Sequence, residues 1–371
     1  MSGPVTDPAT GTATDRATDG ATAAAPGSAA GTGGLAVHWL RGAGVEVGVI
    51  AHGARIAAVR APDRDGGWAE VALGLADLAA YRADPAYLGA CVGRYANRIA
   101  GGTFELDGQR YEIPTNAPGV ALHGGGNSFE HAEWSVETGP GDGAALTLRH
   151  TSPAGHNGFP GTLEVTVTYR VQGAELAIEH TATTDAPTVL NLTNHAYWNL
   201  AGADLAAGGV ADHEITVQAD AFLAVDGDLV PEGPPTPVAD TPFDLRAPVR
   251  IGARWRGAHP QLVRGQGYDH TFVLDGEPDA TGLRRAALVT EPRTGRTLEL
   301  HTDQPGVQFY SGNMLDGTLV LRAGVTARQG DALCLEPQAF PDAPNRPDFP
   351  STVLRPGETY RSRARFRFGT I

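Results

Sequence analysis

From about residue 35 to the C-terminus, apolar and polar positions alternate in short runs cut by Gly, Pro, Asn and Asp at fairly regular spacing. Successive side chains of a strand point to opposite faces, so this period of two predicts strands with one buried face. Thr103-Phe104-Glu105-Leu106 and Arg110-Tyr111-Glu112-Ile113 flank Asp107-Gly108, a dipeptide suited to the positive φ angles of a tight hairpin turn. A second hairpin is predicted where Leu163 to Val171 turns through Gln172-Gly173-Ala174 into Leu176 to Thr183. A third joins Ala286 to Thr290 with Thr297 to His301 across Gly295. The last strand, Tyr360 to Phe368, sets Tyr360, Ser362, Ala364, Phe366 and Phe368 on one face and Arg361, Arg363, Arg365 and Arg367 on the other. That arginine row reads as a solvated outer face rather than an anion site. Helical periodicity is confined to Trp68 to Tyr81, and no repeat of fixed period is present. The pattern predicts an all-β chain with little helix, folded as a large twisted antiparallel β-sandwich.

Residues 1 to 34 do not join this pattern. They are almost all Ala, Gly, Thr, Pro, Ser and Asp, with no apolar run to offset the entropy of ordering, and are expected to form a disordered tail. Arg16 stands alone among small residues, which is not the basic start and apolar stretch of an export signal. Residues 35 to 371 contain no linker and are expected to form one domain, with no segment near the roughly 18 apolar residues of a membrane span. Cys91 and Cys334 lie far apart, a spacing that suits neither a disulfide framework nor a metal site and fits buried thiols in a reducing cytoplasm.

Charge removes several function classes. The formal net charge is −14, and all 28 basic residues are arginine. Without lysine, a phosphate-binding loop of the G-x-x-x-x-G-K-[ST] type and a lysine Schiff base are both excluded. The acidic balance also argues against a nucleic-acid surface.

Polar residues inside apolar strands are costly unless paired, so those at mid-strand positions carry the chemical information. In Asn191-Leu192-Thr193-Asn194-His195-Ala196-Tyr197-Trp198, alternation predicts Thr193, His195 and Tyr197 on one face, a combination of hydrogen-bonding and aromatic groups suited to a sugar. On spacing alone the same pattern also fits a structural histidine. Glu336 and Gln338 share a face of the apolar run that begins at Ala332, where a buried structural glutamate is the alternative. Gly93 to Ile99, Leu122 to Gly126 and Gly267 to His270 are polar and Gly-punctuated, each weak by itself. The chain has no G-x-S-x-G elbow, no H-E-x-x-H zinc helix and no strand-to-helix G-x-G-x-x-G, and its 12 histidines lack ligand spacing, so no metal or other cofactor is expected.

In order along the chain, GRYANRI, LHGG, GFPG, NLTNHAYWNL, TPFDL, GYDH, QPGVQFYSGN and LEPQ followed by PDAPNRPDFP resemble the landmarks of the aldose 1-epimerase (galactose mutarotase) family, over roughly residue 35 to the C-terminus. The resemblance implies the galactose mutarotase-like supersandwich, with the sugar in an open cleft on one sheet. It further implies that His195 is the general acid and Glu336 the general base, and that Asn97, Arg98, His123, Tyr197, Asp269 and Gln308 surround the sugar hydroxyls. The loop Ser152 to Gly161 departs from the family, which often carries acidic residues near Ala154 and His156, so altered packing is expected there.

The function so implied is interconversion of the α and β anomers of free hexoses such as galactose and glucose, on a cytoplasmic monomer or homodimer that takes a monosaccharide and neither nucleic acid nor membrane as partner. The mechanism needs His195 protonated and Glu336 ionised at the start, with Asp269 expected to favour the imidazolium. Two rivals remain: a non-catalytic carbohydrate-binding module and a hexose 6-phosphate 1-epimerase on the same fold. The second requires a cation cluster for the phosphate, and beyond Arg94 and Arg98 in GRYANRI no additional arginine cluster adjoins the other motifs.

Overall fold

The computed structural model describes residues 36–138 and 144–371, so the tail predicted for residues 1 to 34 lies outside the described residues. Among them the chain is built from strands, with two short α-helices, Leu78–Arg82 and Pro260–Gly265. Among the described residues no helix is long and apolar enough to cross a membrane.

The largest sheet has nine antiparallel strands, ordered Ser135–Thr138, Ala145–Ser152, Leu163–Gln172, Glu175–Thr184, Tyr360–Thr370, Arg296–Thr302, Arg284–Thr290, Glu214–Val217 and Val249–Arg250. The predicted hairpins are its backbone. Gln172 pairs with Glu175 across Gly173-Ala174, and Thr290 pairs with Thr297. The Asp107-Gly108 turn also forms, with φ of 51° and 78° closing the Leu106 to Gln109 pair, the geometry of a twist-matched hairpin. Alternation holds along the last strand, where Ser362, Phe366 and Phe368 are buried. Its arginines are matched by carboxylates of neighbouring strands, Arg361 to Glu179 and Arg365 to Glu175 at 3.1 Å and Arg363 to Asp303 at 2.9 Å. Exposed pairs of this kind contribute roughly 0–1 kcal/mol each, so the row is a charge-balanced outer face.

A six-stranded sheet packs against the inner face, in the order Tyr197–Trp198, Leu333–Gln338, Gly306–Tyr310, Asp269–Val273, Ala221–Phe222 and Thr236–Pro237. The core lies between the two: Leu333, Leu335, Val307, Phe309 and Phe272 meet Val165, Val167, Ile178, Phe366 and Phe368 in one apolar cluster. Trp198 joins the layers, its ring centroid 5.3 Å from Phe366 and 5.8 Å from Phe368. Each such buried side chain contributes about 1.5–3 kcal/mol. A four-stranded sheet, His38–Arg41, Glu46–Ile50, Arg55–Pro62 and Trp68–Glu70, adds Val47, Val49, Ile56 and Val59 to the same cluster. This is the twisted antiparallel sandwich expected from the alternation.

The helix expected over Trp68 to Tyr81 is not formed as such. Trp68–Glu70 pairs with Arg60 to Pro62 as a strand, and Val71 and Leu73 donate to the carbonyls of Val59 and Tyr197. Only Leu78–Arg82 is helical, capped where Asp77 Oδ1 accepts from Ala80 N at 2.8 Å. Tertiary backbone pairing has overridden the periodicity of the first ten residues.

Candidate active site

The strands Asp269–Val273, Gly306–Tyr310 and Leu333–Gln338 are buried throughout except at Val273, so one face meets the core and the other is covered from outside. Register places the polar residues of the second face in two rows. Asp269 opposes Tyr310, Tyr310 opposes Cys334 and Cys334 opposes Tyr197, while in the next row Thr271 opposes Gln308 and Gln308 opposes Glu336. These rows floor a cavity of about 310 Å³. All eight residues singled out in the sequence line it: His195, Glu336, Asn97, Arg98, His123, Tyr197, Asp269 and Gln308.

The floor is hydrogen-bonded in series. Thr271 Oγ1 donates to Gln308 Oε1 at 2.6 Å, Gln308 Nε2 to Asp269 Oδ1 at 2.6 Å, and Arg98 Nη2 to Asp269 Oδ2 at 3.3 Å. Asp269 is thus held on both oxygens. Glu336 is only 2% exposed, and its Oε2 has no hydrogen-bond partner in the protein. A buried carboxylate oxygen without a partner is costly, and here it faces a cavity where a ligand hydroxyl could satisfy it.

A second wall comes from two loop residues in the left-handed region, Asn97 at φ 65° and His123 at φ 52°. Each holds the other: Asn97 N donates to His123 Nδ1 at 3.1 Å, and His123 N donates to Asn97 O at 2.9 Å. Asn97 Oδ1 also accepts from Arg98 N at 2.9 Å. Arg98 is fixed from behind by the PDAPNRPDFP segment, where Asp342 N donates to Arg98 O and Asp342 Oδ1 accepts from Ala100 N.

His195 sits where the chain changes partners. Thr193–Asn194 pairs with Cys91–Val92, whereas Tyr197–Trp198 pairs with Leu333 and Cys334. Between them, His195 N donates to Ala90 O and its carbonyl accepts from Gly89 N, both at 2.9 Å. Because the strand is broken at this point, the expected alternation does not carry through. Tyr197 joins His195 in the cavity, ring centroids 5.0 Å apart, but Thr193 faces the interior, beside His180 and Pro337 in a space of about 10 Å³. Gln338 shares the Glu336 face yet lies beyond the cavity, with Nε2 3.5 Å from Thr271 Oγ1.

His195 Nε2 lies 3.7 Å from Glu336 Oε1. Burial lowers the His195 pKa to about 4 and raises that of Glu336 well above the carboxylate range, Asp269 adding to the latter. The expectation that Asp269 favours the imidazolium is therefore corrected: its field falls on Glu336, because Glu336 is its neighbour on the sheet floor. Low dielectric disfavours a charged pair, and the two groups share one proton in their neutral forms.

His123, His195 and Glu336 offer ligand atoms within 4.8 Å of one another, which raises the question of a metal. The geometry disfavours one. Burial holds His123 neutral, and the Asn97 N–H takes its Nδ1 lone pair, so the proton sits on Nε2, the nitrogen left to face the cavity. The remaining two donors do not make a site.

Sequence reasoning passed over two aromatic residues of the cavity. Tyr310 lies two residues beyond Gln308 in the same strand, so alternation from Gln308 would have found it. Tyr87 lies edge-on to His123 at 4.6 Å and comes from a short turn, Pro85-Ala86-Tyr87, with no periodic signal. Arg94, by contrast, is buried away from the cavity. Its guanidinium donates to carbonyls of Ser152, Pro153, Pro160 and Gly161, which pins the divergent loop. Among the described residues, Arg98 is thus the single arginine that lines the cavity.

The family model for aldose 1-epimerase matches residues 36–367. The chain is 41% identical to the galactose mutarotase of Rattus norvegicus over 91% of its own length and 95% of the relative's. Identity to the galactose mutarotase of Homo sapiens is 42% over 87% and 91%, and to the aldose 1-epimerase of Escherichia coli 35% over 88% and 92%. Among solved structures, an aldose epimerase homologue from C. elegans superposes with a TM-score of 0.82 at 30% identity, covering 91% of this chain and 99% of that one. With the sandwich, the floor of the cavity and these similarities in agreement, the chain belongs to the aldose 1-epimerase family.

Proposed function

We propose that this enzyme interconverts the α and β anomers of free hexoses, with Glu336 and His195 as the acid-base pair. The observation that carries the assignment of roles is the 3.7 Å separation of His195 Nε2 and Glu336 Oε1 on one side of a polar-floored cavity. The hydroxyl oxygen and the ring oxygen of a pyranose are both bonded to C1, so an acid and a base this close can each address one of them.

With the sugar bound, the shared proton passes from Glu336 to His195 Nε2, and the carboxylate so formed takes the proton of the C1 hydroxyl. As the C1–O5 bond breaks, its electron pair goes to O5, which receives a proton from His195 Nε2, and the sugar becomes the open aldehyde. Rotation about C1–C2 presents the other face, and closure runs the same transfers backwards. The pair ends with the proton count it began with. Arg98, Asp269, Gln308, Asn97 and His123 supply donors and acceptors for the remaining hydroxyls, and Tyr197 an apolar ring surface. A lone guanidinium already bridged to Asp269 is a poor match for a phosphate dianion, which favours neutral sugars.

The test is polarimetry of freshly dissolved α-D-galactose and α-D-glucose with wild type, Glu336→Gln and His195→Asn at equal concentration. Faster approach to equilibrium by wild type, largely lost in both variants, supports the roles. Sugar binding without any change in rate would favour a binding module instead.

A further inference from the structure

Cys334 has no part in the chemistry above, yet it stands in the cavity row between Tyr310 and Tyr197, fully buried, with Sγ 3.5 Å from His195 Nδ1. The two ring nitrogens of His195 thus meet different surroundings. Nε2 faces Glu336 Oε1, whereas Nδ1 faces the Cys334 sulfur. A thiol sulfur carries lone pairs that can accept from an N–H, so it can hold hydrogen on Nδ1.

We propose that Cys334 is a positioning residue for the proton transfer: its sulfur holds Nδ1–H, so that Nε2 is the nitrogen that gains and gives up the proton. The inference rests on His195 being the proton donor to the ring oxygen. A carboxylate in this place would stabilise the imidazolium and hold the proton; a buried thiol, which stays uncharged, fixes the ring without trapping it. The other titratable groups facing the ring are Glu336, His123, Tyr87, Tyr197 and Tyr310, with Arg55 acting at longer range.

The experiment compares wild type, Cys334→Ala, Cys334→Ser and His195→Asn by initial-rate polarimetry across about pH 5 to 8, together with the side-chain ¹⁵N shifts of His195. Thermal unfolding confirms that each variant is folded. Cys334→Ala is expected to lose roughly tenfold in kcat with KM changed by less than about twofold, to shift the pH profile of kcat, and to show a mixture of His195 tautomers. Cys334→Ser, which keeps an acceptor at the same place, restores the tautomer and most of kcat. A folded Cys334→Ala with wild-type kcat, pH profile and tautomer, beside an inactive His195→Asn, overturns the proposal. So does an equal fall in Ala and Ser variants with the tautomer unchanged, which marks a packing effect. Full activity in His195→Asn removes the underlying assignment of His195 itself.

Discussion

Asn97 and His123, 26 positions apart in sequence, hold each other in the left-handed region, the amide of one on the ring nitrogen of the other at 3.1 Å. The consequence is a fixed neutral tautomer that presents Nε2–H to the cavity. His123→Ala removes one neutral hydrogen-bond donor, so KM is expected to rise about three- to tenfold with a smaller change in kcat, read from initial-rate polarimetry.

The same bond bears on metals. Because His123 cannot offer a lone pair without losing its bond to Asn97, treatment with a chelator is expected to leave the rate unchanged. Micromolar zinc should not inhibit competitively with sugar; zinc binding by titration calorimetry that disappears in Glu336→Gln would contradict this.

Removing either member of the proton-sharing pair should cost about 10²- to 10⁴-fold in kcat. The double variant Glu336→Gln/His195→Asn should lose little more than the worse single one, since groups that act as a unit are not additive. Independent, multiplicative losses would show that the two do not work on one sugar.

Stability should depend on pH through buried neutral histidines. His270 is fully buried, accepts from Asp269 N at 3.1 Å, and has its pKa lowered to about 3, chiefly by burial and then by Arg98 and His259. Its unfolded value is near 6.5, so below about pH 6.5 the unfolded chain binds a proton that the folded one refuses, and stability falls as pH drops toward the folded value. The effect is on the order of 1–3 kcal/mol. Urea titrations at pH 7, 6 and 5 should show the fall, and His270→Gln should flatten it while lowering stability at every pH.

Gly89 is the tightest point behind the site. Its φ is +66°, and a Cβ there would lie 1.9 Å from the Ile56 carbonyl oxygen, while its N–H and carbonyl hold His195 O and Asn194 Nδ2. Gly89→Ala is expected to destabilise the fold by more than about 2 kcal/mol and to depress kcat even where folded protein is recovered, checked by chemical denaturation and polarimetry side by side.

The strands and hairpins were legible because local rules decide them. Asp107-Gly108 turns as its dihedral preferences dictate, and the Leu163 to Thr184 hairpin follows its alternation. Part of the floor was legible for a related reason: Glu336 is a polar exception in an apolar run, whereas Asp269 and Gln308 were reached through the family resemblance. What local reasoning could not supply was long-range pairing. The stretch from Trp68 took strand partners that no periodicity announces, Thr193 lost its place beside His195 because the chain switches ladders, and Tyr87 entered from a turn.

That switch of ladders gives the proton-sharing pair an unusual mechanical status. Glu336 and Gln308 are neighbours across one sheet and keep their spacing however that sheet twists. His195 is hung instead from Gly89 and Ala90, while two residues on Tyr197 pairs with the strand of Glu336, so the distance between the two groups is set where these ribbons meet. The small side chain of Ala196 is buried in the core at the crossing. Proton transfer falls off steeply with donor-acceptor distance, so under the proposed mechanism packing changes at this crossing are expected to alter the rate without touching the sugar.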